Sequence, residues 1–265
     1  MTTVKAPSPF ISERLKYNLI YFLYCCYEWR YKKILLNNCG YYPSALELDN
    51  ALQFQLYLEL IKTVKIPLDG SLDICEIGCG QGHGGVFLFD HYFSEQIRYT
   101  GIDISDVAIA YCRRKYKHRK NMQFLNNRPG SQLPCADGSF DLIFGVEPVA
   151  SRRDEYLQEL HRCLKASGHF IFMETYNITV PRFADQRIER NGFEIVSKEN
   201  ITEHIVQAFV ADNQRKLDSL KKLAFLPEKQ LAFLRNFIGT VDSSRFNSYC
   251  NGTRNGFIYT LRKAD

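Results

Sequence analysis

Residues 75–85 read CEIGCGQGHGG. They join an apolar run, LDICEI (72–77), to an apolar helical stretch. A strand-to-helix turn this rich in glycine lets a ligand approach the backbone closely. The helix that follows points free backbone N–H groups at whatever sits there. About twenty residues on, the run IRYTGID (97–103) ends in Asp103, where a carboxylate can grip both hydroxyls of a ribose. The two features together predict a nucleoside-containing ligand at the carboxyl edge of a sheet.

Outward from this turn the texture is regular. MQFLN (122–126), FDLIFGV (140–146), HFIFME (169–174), FEIVSK (193–198) and GFIYTLR (256–262) read as five further strands. Helical segments such as 107–116 and 155–164 fit between the first five strands, with Ala166-Ser167-Gly168 stopping the second of these helices. Strands separated by helices imply βαβ units and a mainly parallel sheet covered on both faces. Residues 201–255 are too many for a bare loop and read as helices over 209–223 and 227–237, an inserted lid or substrate wall. Towards the other end, Ser12 is placed to cap a helix over 13–36, and a second helix runs over 46–64.

Composition excludes several classes. The chain has 265 residues, 45% hydrophobic and 24% charged, which rules out wholesale disorder, collagen and a polytopic membrane protein. A net charge of +5 is too small to argue for nucleic acid, and the basic cluster at 113–120 reads as a solvated helix end. Nine cysteines form no CxxC pair, so neither a disulfide framework nor a zinc site is expected. Reduced thiols and no signal peptide point to the cytoplasm, and the sequons at Asn177, Asn200 and Asn251 read as chance matches. The apolar run LIYFLYCCY (19–27) is too short to span a bilayer, which takes about 20 residues, but can lie on a membrane or in a core. Aromatic residues reach 14%, which fits either a ring-rich core or a pocket for an apolar ligand.

Gly80, Gly82 and Gly85 formally satisfy the GxGxxG dinucleotide pattern, which is weak alone. Glu76, two residues before the first glycine, suits a cationic or amino-bearing ligand. LPCADGSFD (133–141) leads into the fourth strand with no YxxxK pair after it. Both observations argue against a nicotinamide cofactor.

The ordered set EIGCGQG (76–82), TGIDIS (100–105), LPCADGSFDLIF (133–144) and RCLKASGHFIFME (162–174) resembles the class I S-adenosylmethionine-dependent methyltransferases. NCGYY (38–42), GHGG (82–85), Val146-Glu147 and FIGTVDSSRFNSY (237–249) are similar to the sterol-methyltransferase-like branch and to phthiotriol dimycocerosate-type O-methyltransferases. The resemblance implies an α/β, Rossmann-like seven-stranded mainly parallel sheet of order 3-2-1-4-5-7-6. It divides the chain into an N-terminal helical cap (1–69), a cofactor-binding core (70–200), a helical insertion (201–255) and the last core strand (256–265).

By that resemblance, S-adenosyl-L-methionine is the cofactor. Glu76 anchors the glycine loop and approaches the methionine amino end, over a floor of Gly78, Cys79, Gly80 and Gly82. Asp103 binds the ribose and Ile104 lies against the adenine. Asn127 and Arg128 fall at the adenine edge, where the family commonly has Gly-Asp; an Asn amide can still accept from the adenine amine. Val146 and Glu147 flank the methyl group, with Glu147 the candidate general base. The phthiotriol type has a His soon after that glutamate, and EPVASRRDEY (147–156) does not. The implied activity is methylation of a small apolar, lipid- or polyketide-like acceptor at a hydroxyl oxygen, with no metal. The alternatives are N- or C-methylation of another metabolite, or a non-catalytic partner protein of the same fold. Tyr21, Phe22, Tyr24, Tyr41, Tyr42, Phe209 and Phe225 are acceptor-pocket candidates, and ordinary packing serves each of them equally well.

Overall fold

A computed structural model describes residues 9–64, 66, 70–127, 132–148, 152–177 and 181–264. Seven strands form one sheet: β1 (Asp73–Ile77), β2 (Arg98–Asp103), β3 (Met122–Asn126), β4 (Phe140–Val146), β5 (Leu164–Asn177), β6 (Phe193–Asn200) and β7 (Arg254–Lys263). Their order is β3-β2-β1-β4-β5-β7-β6, as the resemblance implies. β7 enters between β5 and β6 and runs antiparallel to both, while β1 to β5 pair in parallel.

The central strands read as continuous apolar runs because both faces are covered. Along β4, Leu142 and Phe144 enter one core and Ile143 the other. Along β5, Ile171 and Met173 take the first side, and Phe170 and Phe172 the second. Helices α3 (His83–His91), α4 (Asp106–Lys115), α5 (Asp154–Cys163) and α6 (Pro181–Arg190) lie within this alternating part of the chain. Ser105 caps α4 by accepting from the Ala108 N–H at 3.2 Å, and Arg113, Arg114 and Lys115 occupy its last turn, where cations suit the dipole.

Before β1 come α1 (Pro9–Tyr31) and α2 (Ala51–Lys62). α1 begins at Pro9 and ends at Tyr31, so it is shifted from the expected 13–36 and Ser12 lies within it rather than capping it, while α2 is shorter than the expected 46–64. α1 runs directly over the carboxyl edge of the sheet. Asn18 Oδ1 accepts from Ser105 Oγ at 2.7 Å, Tyr111 donates to Glu28 at 2.5 Å and Lys115 donates to Glu28 at 2.7 Å. Its Ile20, Tyr24 and Tyr27 are buried, worth about 1.5–3 kcal/mol each in apolar area removed from water. The opposite face does not pack: Leu15, Leu19, Phe22 and Trp29 are 64, 60, 56 and 76% exposed.

Between β6 and β7 lie α7 (Thr202–Ala211), α8 (Asn213–Lys221), α9 (Glu228–Ile238) and α10 (Ser244–Cys250). The single helix expected over 209–223 is broken at Asp212, whose carboxylate accepts from Arg215 and from Gln53 of α2. β5 also begins earlier than expected. α5 has already ended at Cys163, and Leu164 pairs with Phe140 before a register shift. Ser167, at φ +59°, belongs to that irregularity rather than to a helix stop.

Candidate functional site

The glycine turn after β1 is held from below. The Gly78 and Cys79 N–H groups donate to the Ile102 carbonyl at 2.8 and 3.1 Å, fixing the turn against β2. Gly80, at φ +52°, has a reason to lack a side chain beyond its dihedral: a Cβ there would lie 2.6 Å from the Tyr21 hydroxyl of α1. Glu76 is fully buried. It accepts from the Tyr57 hydroxyl of α2 at 2.9 Å and from the Tyr99 hydroxyl of β2. Burial pushes its carboxyl up to about 7, against the lowering pull of those two hydroxyls.

Asp103 closes the next strand. Its two oxygens accept from the Gly80 and Ser105 N–H groups, at 2.9 and 2.8 Å. Burial raises its carboxyl above the ordinary range, and the backbone N–H groups oppose that. The Ile104 N–H also donates to this carboxylate, and with about four lone-pair sites in all it can still accept from a ligand hydroxyl. Asn127 is 3% exposed; its N–H donates to the Asp103 carbonyl at 2.9 Å and its side-chain amide to the Tyr156 hydroxyl at 2.9 Å.

Above this edge lies a cavity of about 640 Å³. Its floor includes Ile77, Gly78, Ile102, Asp103, Ile104 and Asn127, and Val146 and Glu147 follow at the end of β4. Tyr17 and Tyr21 of α1 roof it, Phe233 and Phe237 of α9 form its outer lip, and Arg245 and Arg254 line the far end. Glu147, at φ +52°, donates its N–H to the Met173 carbonyl at 2.7 Å, which turns its side chain off the strand line. Its carboxylate accepts from Arg245 of α10 at 2.6 Å. Burial pulls the Arg245 guanidinium down, and Glu147 outweighs this and keeps it charged.

The cavity therefore gathers Gly78, Asp103, Ile104, Asn127, Val146 and Glu147. Glu76, Cys79, Gly80 and Gly82 are buried behind the floor rather than on its surface. Glu76 braces the turn through Tyr57 and Tyr99. Arg128 lies outside the described residues. Of the expected pocket aromatics only Tyr21 lines this cavity. Tyr24 is buried and lines a separate, small cavity, Phe209 is buried in packing, Tyr41 stacks on His204, and Phe22, Tyr42 and Phe225 are exposed. Spacing alone did not pick out Tyr17, Arg245 or Arg254. The motif FIGTVDSSRFNSY contains Arg245, and that was the signal available for it.

S-adenosylmethionine fits these residues. The glycine at 78 leaves its backbone open to the cavity, the buried Asp103 faces it from the second strand, and the volume exceeds what a nucleoside alone fills.

Comparison with known proteins agrees with this geometry. Residues 74–168 match the methyltransferase domain family model. A fatty-acid O-methyltransferase of Mycolicibacterium smegmatis is 30% identical over 38% of this chain and 36% of its own length. A phthiotriol/phenolphthiotriol dimycocerosates methyltransferase of Mycobacterium tuberculosis is 23% identical over 69% of this chain and 66% of its own. The chain thus spans between about a third and two thirds of these relatives. The structure of a putative sarcosine dimethylglycine methyltransferase from Galdieria sulphuraria superposes with a TM-score of 0.72 at 14% identity, covering 94% of this chain and 99% of that one. The strand order, the glycine turn with its downstream aspartate and the matched segment converge: this chain carries a class I S-adenosylmethionine-dependent methyltransferase domain.

Proposed function

We propose that the chain transfers a methyl group from S-adenosylmethionine to a hydroxyl oxygen of a small apolar, lipid- or polyketide-like acceptor. The observation that carries this reading is the cavity itself, which continues past Asp103 and Gly78 to Glu147 under a roof of aromatic rings. Relatives named for fatty-acid and phthiotriol substrates support the acceptor class.

When bound, the cofactor supplies an electrophilic methyl group on sulfur, which keeps the electron pair of the broken carbon–sulfur bond. The residues of this chain do the rest. Asp103 and Asn127 hold the nucleoside end. Tyr17 and Tyr21 exclude water above the reacting atoms, which favours in-line alignment. Glu147, positioned by Arg245, takes the proton of the acceptor hydroxyl. The N-terminal helices and the 201–255 insertion select the acceptor, since they supply the roof and lip.

Two further parts belong to the same reading. All nine cysteines are free, which suits a reducing cytoplasm. Among the described residues no helix is long and apolar enough to cross a membrane. The exposed Leu15, Leu19, Phe22 and Trp29 stripe, followed by exposed Arg30, Lys32 and Lys33, suits peripheral contact with an anionic lipid surface.

Calorimetry with S-adenosylmethionine and S-adenosylhomocysteine, followed by an acceptor screen for S-adenosylhomocysteine release, tests the proposal. Micromolar binding with turnover is the expected result. Binding without turnover on any acceptor leaves a cofactor-binding partner protein, and absence of binding ends the reading altogether.

A further inference from the structure

The charges around the cavity do not cancel. Both Asp103 oxygens accept backbone N–H groups. Glu147 is held by Arg245 at 2.6 Å. Glu174, behind the wall, is held by Arg152 at 2.7 Å, and Glu13 faces Arg153 at 4.0 Å. Two cavity-lining cations are left without a carboxylate among the described residues. The Lys16 ammonium lies 5.3–5.8 Å from the ring centres of Tyr17, Phe233 and Phe237. The half-buried Arg254 guanidinium lies 5.9 Å from the centre of the Tyr249 ring. The cofactor's own carboxylate can neutralise only one of them.

Strand order fixes where Arg254 stands. Along the carboxyl edge come Asp103 on β2, Gly78 after β1, Glu147 after β4, Thr175 on β5 and Arg254 on β7. Because β7 is antiparallel, its first residue meets the last of β5, with Arg254 opposite Asn177. Neighbouring strands lie about 4.8 Å apart and each residue rises about 3.3 Å, so the Arg254 backbone, two strands over and opposite Asn177 where Glu147 is level with Glu174, is roughly 14 Å from Glu147, on the side away from the ribose position. This is past the point where methyl transfer takes place, at the end of the cavity that an acceptor must fill.

We infer that the acceptor carries a carboxylate and that Arg254 is the specificity residue that binds it. The inference rests on the methyl-transfer reading above. The acceptor hydroxyl lies beside Val146 and Glu147, and its carboxylate lies roughly 5–10 Å further along the cleft, within reach of the guanidinium. A planar fork of donors suits a carboxylate, and a half-buried cation without a counter-ion gains most from one. The Tyr249 ring, 5.9 Å from the guanidinium, supplies a weak cation–π contact that does not neutralise it. Aromatic residues at the lip contact the apolar remainder of the molecule.

The test uses the full chain saturated with S-adenosylhomocysteine and two matched pairs of probes. These are 4-hydroxybenzoate and 6-hydroxyhexanoate, each against its methyl ester, with binding read by calorimetry. At least one acid is expected to bind roughly tenfold tighter than its ester. Arg254→Gln should erase that preference, Arg254→Lys should restore part of it, and S-adenosylhomocysteine affinity should stay within about twofold in both. Ester binding equal to acid binding, no binding by either acid, or a preference that survives Arg254→Gln overturns the inference. So does weakened S-adenosylhomocysteine binding in Arg254→Gln, because it assigns the guanidinium to the cofactor carboxylate. Failure of the wild-type chain to bind S-adenosylhomocysteine is a separate result and removes the methyl-transfer reading as well.

Discussion

Glu147 and Arg245, 98 residues apart, meet at 2.6 Å where β4 runs out. Their side chains are 19% and 13% exposed, so the pair is largely shielded from water. Arg245 also donates to the Phe237 carbonyl at 2.5 Å, which ties the carboxylate to α9 as well as α10. The proposed base is thus positioned by the insertion and not by the sheet alone.

Replacing that carboxylate should separate chemistry from binding. Glu147→Gln is expected to lower kcat about 100-fold with KM for the acceptor changed less than about threefold. It also leaves Arg245 without its counter-charge, at a cost of about 3 kcal/mol by urea denaturation. An unchanged kcat removes Glu147 from the proton transfer.

Asp103→Asn keeps the shape of the β2 terminus but removes the charge. Binding of S-adenosylhomocysteine is expected to weaken roughly 10- to 100-fold by calorimetry. A variant that binds as the wild type does places the ribose elsewhere.

Two buried groups titrate against each other. Glu76 has a carboxyl raised to about 7, from an ordinary value of 4.5, chiefly by burial. Its folded form holds the proton more tightly, so its contribution is full below about 4.5 and is lost as pH rises through 7. Burial first, and then Lys115, lower His83 from 6.5 to about 4; its contribution is present above 6.5 and lost as pH falls through 4. Between those limits the slopes oppose. Relative to the wild type, Glu76→Gln should gain stability as pH rises between about 4.5 and 6.5, and His83→Gln should lose it. Thermal melts of the three proteins over that range check the signs.

Gly80→Ala adds a methyl group at φ +52°, against the Tyr21 hydroxyl. A loss of about 1–3 kcal/mol is expected. Adding Tyr21→Phe should recover only part of it, because the dihedral cost remains while the nearest atom is gone. A double-mutant cycle by chemical denaturation measures the recovery, and full recovery shows that the clash alone was responsible.

For the lipid surface, Leu19→Glu with Trp29→Glu should abolish co-sedimentation with vesicles rich in anionic lipid. Turnover of a water-soluble acceptor should be untouched, since neither residue lines the cavity. Equal sedimentation of variant and wild type removes the surface contact from the reading.

Much of this architecture was legible in residues 72–146. Doubly covered strands leave unbroken apolar runs, and a ligand-binding turn leaves glycines and a terminal aspartate at a characteristic separation. The cofactor half of the site was readable for the same reason. The acceptor half was not. Arg254 reaches the cavity because β7 folds back between β5 and β6, and Arg245 because α10 returns to the end of β4 to meet Glu147; both are long-range events with no local signature. The break at Asp212 was hidden similarly, since its partners Gln53 and Arg215 come from two different helices. At β5, the polar Ala166-Ser167-Gly168 looked like punctuation, but the helix had stopped three residues earlier at Cys163.

The late insertion of β7 has a consequence for synthesis on the ribosome. Among the described residues β6 pairs only with β7, so a nascent chain that has emerged as far as residue 250 holds an unpaired strand and a cleft that still lacks Arg254. Such a chain can form the turn that receives the nucleoside before it can discriminate between acceptors. The turn for the nucleoside is thus complete in the chain well before the last acceptor contact, which is added when β7 enters between β5 and β6.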